Sequence, residues 1–411
     1  MSQIASASID SSPAVPIRED ALVIGMVGSA HMISHFSQLL LPPLFPWLKD
    51  AFNTGYTELG FLMALFFSVS CVVQALSGFL VDRWGPRPIL LSGLSLLVFA
   101  AFGFSFSQSY SMLIFFIFVA GLGNGVFHPV DYTLINRRVS SRRLGHAYSA
   151  HGISGNLGWA AAPAILVPIT LAFSWRHALF VGALIILIVL VALWFFRQHL
   201  QVSVFKSDSQ EVSKHVALPS VFSFLRLPAV WICLSFFLLV GIALGIVQAF
   251  APEAARQLHG TPVPLVALCL SAYMLLAIGG MVVAGFIASD IVRSERLVAL
   301  GFGFAAAISL SLALAPLPGL LVPVFFGALG FFIGLAGPAR DFLIKKATPT
   351  NASGRVYGVI YSGLDIGQAL SPLLFAWLMD AHHYKALFIG LAALQLLLVA
   401  NSRRMAALVK A

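Results

Sequence analysis

The chain has 411 residues, 59% hydrophobic and only 9% charged. Charge at that level is far below the roughly 25% of an average soluble domain, which excludes a soluble globular protein and points to a polytopic membrane protein. The formal charge of +9 raises the prospect of a nucleic-acid partner, and the placement of the basic residues argues against one.

Uncharged apolar runs of about 20 residues, the length that crosses a hydrocarbon core, occur twelve times. Their limits are 21 to 46, 57 to 81, 88 to 107, 110 to 135, 146 to 171, 177 to 196, 229 to 251, 263 to 288, 297 to 315, 319 to 343, 356 to 378 and 386 to 401. Residues 1 to 20 are polar, lack the apolar stretch of a cleavable signal, and read as a cytoplasmic tail. Of the 24 Lys and Arg residues, 19 fall in segments on one side of these spans, while the opposite loops hold only Lys49, Arg176, Arg256 and Lys385. This bias puts both termini, 1 to 20 and 402 to 411, in the cytoplasm. Cys71, Cys233 and Cys269 are odd in number and lie inside spans, so no disulfide framework is implied.

Sliding the chain along itself by 209 residues lays the fourth and fifth spans on the tenth and eleventh. Gly121 meets Gly330, Gly125 meets Gly334, Pro129 meets Pro338, Gly158 meets Gly367 and Pro163 meets Pro372. Glycine and proline mark backbone geometry, so the coincidences predict a duplicated fold. The expected architecture is all-α, with twelve transmembrane helices in two pseudo-symmetric six-helix bundles, 21 to 196 and 229 to 401, joined by a central cytoplasmic loop at 197 to 228. The third, sixth, ninth and twelfth spans are almost free of polar side chains and are expected to face lipid.

Ionisable residues inside such spans are costly and ask for a reason. In the first span, His31, His35 and Gln38 share one stripe, with His31 about 16 Å past Asp20 at 1.5 Å per residue. Imidazole titrates near neutrality, so the pair is a candidate for proton uptake or substrate binding, and His151 of the fifth span is placed to join it. The spacing H-x-x-x-H also fits metal coordination, but two imidazoles without a nearby thiolate or carboxylate are a weak metal signal, and no metal is assigned. Asn156 in the fifth span and Gln248 in the seventh are further cavity candidates.

In the fourth span His128 and Asp131 are three apart and share a face. Asp131 lies about 9 Å from the arginine-rich end. Arg340 takes the place of Asp131 in the second half: either it pairs with that acid on closure, or it binds an anionic group, or it snorkels to the interface beside Lys345 and Lys346. Asp365 lies about 15 Å past Arg355, near the midplane of the membrane, with Tyr361, Ser362 and Gln368 on its face. It is the first candidate for a proton carrier; the alternative is a structural carboxyl bonded to a neighbouring helix.

After the second span comes GFLVDRWGPRPILL, in which Gly78, Leu80, Asp82, Arg83, Gly85 and Arg87 resemble the G-x-L-x-D-R-x-G-R-R/K loop of the major facilitator superfamily. Pro86 departs from that pattern, and the second-half counterpart GFIASDIVRSERL is degraded. VFHP at 126 to 129 and GNLGWAAAP at 155 to 163 are similar to segments of the fosmidomycin-resistance-type efflux carriers within it. The resemblance implies that Asp131 acts as a conformational latch for Arg83 or Arg87, or else binds substrate or protons.

It also implies a secondary active transporter of the bacterial inner membrane and not an enzyme. Proton-coupled efflux of a small organic solute by a monomer is expected, with uptake of a small organic anion as the alternative; behind both stands a membrane metal-binding protein with His31, His35, His128 and Asp131 as ligands. No G-x-x-x-x-G-K-[ST] segment occurs, so an ion gradient is the expected energy source and no cofactor is expected. The expected partners are the solute, protons and the lipid bilayer.

Overall fold

The structure is a computed structural model that describes residues 16 to 202, 226 to 287, 291 to 347 and 354 to 410. Among these residues every regular element is a helix. In chain order they are α1 (Ile17–Gln38), α2 (Phe45–Phe52), α3 (Tyr56–Trp84), α4 (Pro86–Phe106), α5 (Tyr110–Asn124), α6 (Phe127–Arg138), α7 (Leu144–Ala172), α8 (Trp175–Phe195), α9 (Pro228–Ala249), α10 (Ala251–His259), α11 (Val263–Ile287), α12 (Ile291–Leu314), α13 (Val322–Ala347), α14 (Gly354–Asp380) and α15 (Tyr384–Lys410).

Eleven helical segments among the described residues are long and apolar enough to cross a membrane, α5 and α6 counting as one. The expected first span, α1, is not among them. It has the length, but Ser29, His31, Ser34, His35, Ser37 and Gln38 dilute its apolar content. It also ends at Gln38, short of the expected limit at 46. Pro42 and Pro43 follow, a pair that withholds two successive backbone donors and disfavours a continuing helix, and the chain makes one 3-10 turn before α2.

Local chemistry sets other boundaries. Gly85 adopts φ 81°, a region open to glycine, and Pro86 sits at the first position of α4. The loop motif is thereby compressed into a one-residue turn. Ser109 and Ser174 cap α5 and α8 by accepting from the backbone N–H of Met112 and His177. The fourth span breaks at Gly125 and Val126, and Pro129 falls in the first turn of α6, where its missing N–H goes unused.

Packing repeats with the sequence. α1 lies on α7 as α9 lies on α14; α3 lies on α5 as α11 lies on α13; α4 lies on α8 as α12 lies on α15. Glycine permits close approach in these pairs. A Cβ on Gly158 would fall 2.1 Å from the carbonyl oxygen of Met32, and one on its repeat partner Gly367 would fall 2.3 Å from that of Leu238. The first and second halves of the chain meet where α3 packs on α14 and α7 on α11.

Candidate functional site

The i, i+4, i+7 spacing of His31, His35 and Gln38 points one stripe of α1 toward its neighbours. On α7, His151, Gly155 and Trp159 form the facing stripe, and His128 and Asp131 close the side from α6. Gly155 is the residue that makes room: a Cβ there would stand 2.7 Å from Nδ1 of His35 and 2.9 Å from Nε2 of His31.

At the centre is Asp131, fully buried. His31 Nδ1 and His151 Nε2 each lie 3.1 Å from its Oδ2, and the two imidazoles stack with centroids 3.5 Å apart. Oδ1 of Asp131 has no hydrogen-bond partner. His35 stacks on Trp159 at 4.1 Å and stands 4.3 Å from the ring of His31. The indole N–H can only donate, and this fixes a chain of amides. Trp159 Nε1 donates to Gln38 Oε1 at 2.9 Å, Gln38 Nε2 to Asn124 Oδ1 at 3.4 Å, and Asn124 Nδ2 to Ser70 Oγ at 2.9 Å. Ser34 also donates to Asn124 Oδ1.

A second chain crosses to the other half. Gln74 of α3 donates from Nε2 to Asp365 Oδ2 on α14 at 2.8 Å, and its Oε1 lies 2.8 Å from His128 Nδ1. With the amide oxygen as acceptor, His128 carries its proton on Nδ1. The ring of His128 stands 5.3 Å from that of His31. Asp365, Gln74, His128, His31, Asp131 and His151 therefore form one polar track from the second half of the chain into the first.

The loop residues lie elsewhere. Asp82 and Arg83 are exposed, Arg83 lies over its neighbour Trp84, and Arg87 donates to Gln201 at 3.3 Å. The latch pairing of Asp131 with Arg83 or Arg87 is not made here, because α1 and α7 flank Asp131 and supply the imidazoles that bind it. Arg340 likewise does not meet Asp131; its guanidinium lies 5.1 Å from the ring centre of Phe237, on which Tyr361 also packs at 4.4 Å. Asn156 donates to the carbonyl of Gly152 in its own helix. Ser362 donates to Val359, so of the expected companions of Asp365 neither Ser362 nor Tyr361 is its bonded partner; Gln74 is.

Gln248 and Gln368 mark a different place. Both are buried, and Gln248 Nε2 and Gln368 Oε1 are without partners. Gln248 lines a cavity of about 260 Å³ at the end of the molecule opposite the arginine-rich loops, together with Pro42, Trp47, Pro163, Glu253 and Arg256. Sequence reasoning missed Gln74, Asn124 and Trp159. A lone amide in an apolar span was the available signal for Gln74, and the similarity over 155 to 163 contained Trp159.

The comparisons with known proteins agree with this fold. Residues 27 to 331 match the family model described as Major Facilitator Superfamily. The uncharacterized MFS-type transporter YfnC of Bacillus subtilis is 31% identical over 152 residues, 36% of this chain and 37% of that protein. The fosmidomycin resistance protein of Escherichia coli is 26% identical over 189 residues, 43% of this chain and 44% of that protein. Both alignments span less than half the relatives' own length. The probable sulfoacetate transporter SauU of Cupriavidus necator is 20% identical over 383 residues, 89% of this chain and 88% of that protein. The chain belongs to the Major Facilitator Superfamily and is a multi-pass membrane protein.

Proposed function

We propose that this protein is a secondary transporter, not an enzyme, and couples proton entry to the export of a small organic solute across the bacterial inner membrane. In this reading α1 completes a set of twelve spans, residues 21 to 196 and 229 to 401 form two six-helix bundles linked by 197 to 228, and the arginine-rich end with both termini is cytoplasmic. The repeated packing pairs and the glycines at repeat positions support the two bundles. The protein acts as a monomer, with substrate reached through the Gln248 and Gln368 region between the bundles.

One observation carries the coupling: the hydrogen-bonded path from Asp365 through Gln74 to His128, which runs across the junction of α14 with α3. Buried ionisable groups in a transporter mark proton paths by default. A proton arriving on Asp365 neutralises the carboxylate that Gln74 binds, weakens a charge-assisted bond at the junction and eases the parting of the two helices. The His31, Asp131 and His151 set provides the next acceptors in line. Transport into everted vesicles, with and without an imposed pH gradient, across phosphonates, carboxylates and hydrophobic cations, tests this reading. Solute uptake that needs the gradient, and that is lost in Asp365→Asn, is the expected result; gradient-driven flux that survives Asp365→Asn removes the proton role of that residue.

Uptake of a small organic anion is the second reading. It is favoured by the similarity to SauU, named as a probable sulfoacetate transporter, over most of both chains. Arg340, held over the Phe237 ring, is the cation that would meet such an anion. In right-side-out vesicles this reading requires solute and protons to enter together.

A further inference from the structure

We infer that His31, His35 and His128 form a binding site for a first-row transition-metal dication of the cobalt, nickel or zinc kind. The inference goes beyond the proton reading above and does not depend on it. The sequence names His31, His35, His128 and Asp131 only as ligands of a rival reading, with no geometry to join them. Folding brings the three imidazoles together and sets Asp131 and His151 alongside. One ring nitrogen from each of His31, His35 and His128 lies within 4.8 Å of the other two, and metal–nitrogen bonds of about 2.0 to 2.1 Å require the three rings to draw together around the ion.

The surroundings follow the pattern of a metal site, in which each ligand imidazole gives its other N–H to an outer acceptor. Asp131 Oδ2 is the acceptor for Nδ1 of His31, which leaves Nε2 of that ring as the lone-pair nitrogen. Gln74 Oε1 is the acceptor for Nδ1 of His128, which leaves its Nε2 likewise. His35 is held by the Trp159 face, and its Nδ1 is buried without a partner. Nδ1 of His35 and Nε2 of His31 both face the bare Cα of Gly155, at 2.7 and 2.9 Å from where a Cβ would stand. Glycine at 155 is what lets these two rings stand this close together. The second group of donors, His31, Asp131 and His151, is already satisfied at Asp131 Oδ2 and serves as support. Neutral imidazoles suit borderline dications over magnesium or calcium.

The test uses the full chain, purified in detergent through an affinity tag without histidine, stripped with chelator and titrated with Co(II). Calorimetry and the visible absorption of the ion report binding. One Co(II) per chain is expected, displaced by Zn(II), with affinity falling as pH drops because protons compete for the rings. His35→Gln and His128→Gln abolish the signal, Asp131→Asn weakens binding by about 10- to 100-fold, and Gly155→Ala weakens it by pushing the His31 and His35 rings out of place. The exposed pair His382 and His383 is the control, and its double alanine variant keeps the site. Absence of Co(II) uptake by the wild type, its loss in the His382/His383 variant, or unchanged binding in His35→Gln and His128→Gln overturns the inference. If the ligand variants do not fold, unchanged affinity in Gly155→Ala overturns it. Gradient-driven flux measured in chelator separates the two proposals: flux without metal binding removes this one alone.

Discussion

The carboxylate of Asp380, the last residue of α14, accepts hydrogen bonds from the backbone N–H of Tyr56 at 2.7 Å and of Thr57 at 2.8 Å, and from the Thr57 hydroxyl at 2.6 Å. These amides open α3 and have no acceptor within their own helix, and negative charge is favoured there. One residue of the second half thus clamps the start of a helix of the first, at the end opposite Arg83 and Arg87. Hydrogen bonds to charged groups contribute about 1.5 to 3 kcal/mol each, and partial exposure puts these at the low end. Asp380→Ala is expected to shift the molecule toward the form in which these helix ends part, by about tenfold or more, since 1.4 kcal/mol is a factor of ten. The rate at which an impermeant thiol reagent labels Gln248→Cys, in a background without the native cysteines, measures the shift. An unchanged rate removes the gating role of Asp380.

Gln74 holds two partners in two halves of the chain, and a leucine has nearly its shape with neither bond. Gln74→Leu is expected to lower gradient-driven accumulation by about tenfold or more, the cost of one charge-assisted bond, while equilibrium exchange of solute across proteoliposomes persists. Equal loss of accumulation and exchange would reduce Gln74 to a packing residue.

That pairing also shows where the sequence falls silent. Eleven of the spans, the glycine coincidences and the histidine stripe of α1 were legible because hydropathy, glycine positions and helical period each leave a pattern in one dimension. Gln74 left none: a single amide in an apolar span has no spacing to another functional residue until α3 is set against α6 and α14. For Asp131 the family resemblance implied a latch with the loop arginines or else a binding role. Its partners follow from the contact of α1 with α7, which the Gly158 approach makes possible and no local signal states. Asp380 left no pattern either: a single acid past the eleventh span has no visible partner until α14 is set against α3. The early stop of α1 was readable in Pro42 and Pro43, whose effect an apolar count ignores.

Asp20 lies just before the first span and is fully buried. Burial alone raises the pKa of its carboxyl, but the Ser140 hydroxyl, the Arg143 guanidinium and the Ser140 backbone N–H hold the ionised form and outweigh it, so the pKa falls below the usual carboxylate range. A depressed folded value means that this contribution to stability is complete above the unfolded value of about 3.9. It is lost as pH falls through the folded value. Asp20→Asn is therefore expected to melt several degrees below the wild type at neutral pH, with the gap closing as acid takes the pH through the depressed folded value. Melting curves in detergent across that range check it; a gap independent of pH would assign the loss to shape alone.

Gly158 and Gly367 give the repeat a physical test. At each, a Cβ would meet a backbone carbonyl of the neighbouring helix, at 2.1 Å for Met32 and 2.3 Å for Leu238. Backbone atoms cannot swing aside as a side chain does, so the helices must separate, and overpacking of this kind costs about 1 to 3 kcal/mol. Gly158→Ala and Gly367→Ala are expected to lower the melting temperature by similar amounts, because the α1 contact with α7 and the α9 contact with α14 are the same contact made twice. Gly303, in α12, has nothing within 4 Å of its Cβ position. Gly303→Ala is expected to raise stability by about 0.5 to 1 kcal/mol through the entropy lost by the unfolded chain. Thermal melts of the three variants side by side decide the matter: if Gly158→Ala alone were harmless, the two helix pairs would not be equivalent and the duplication would end at the sequence.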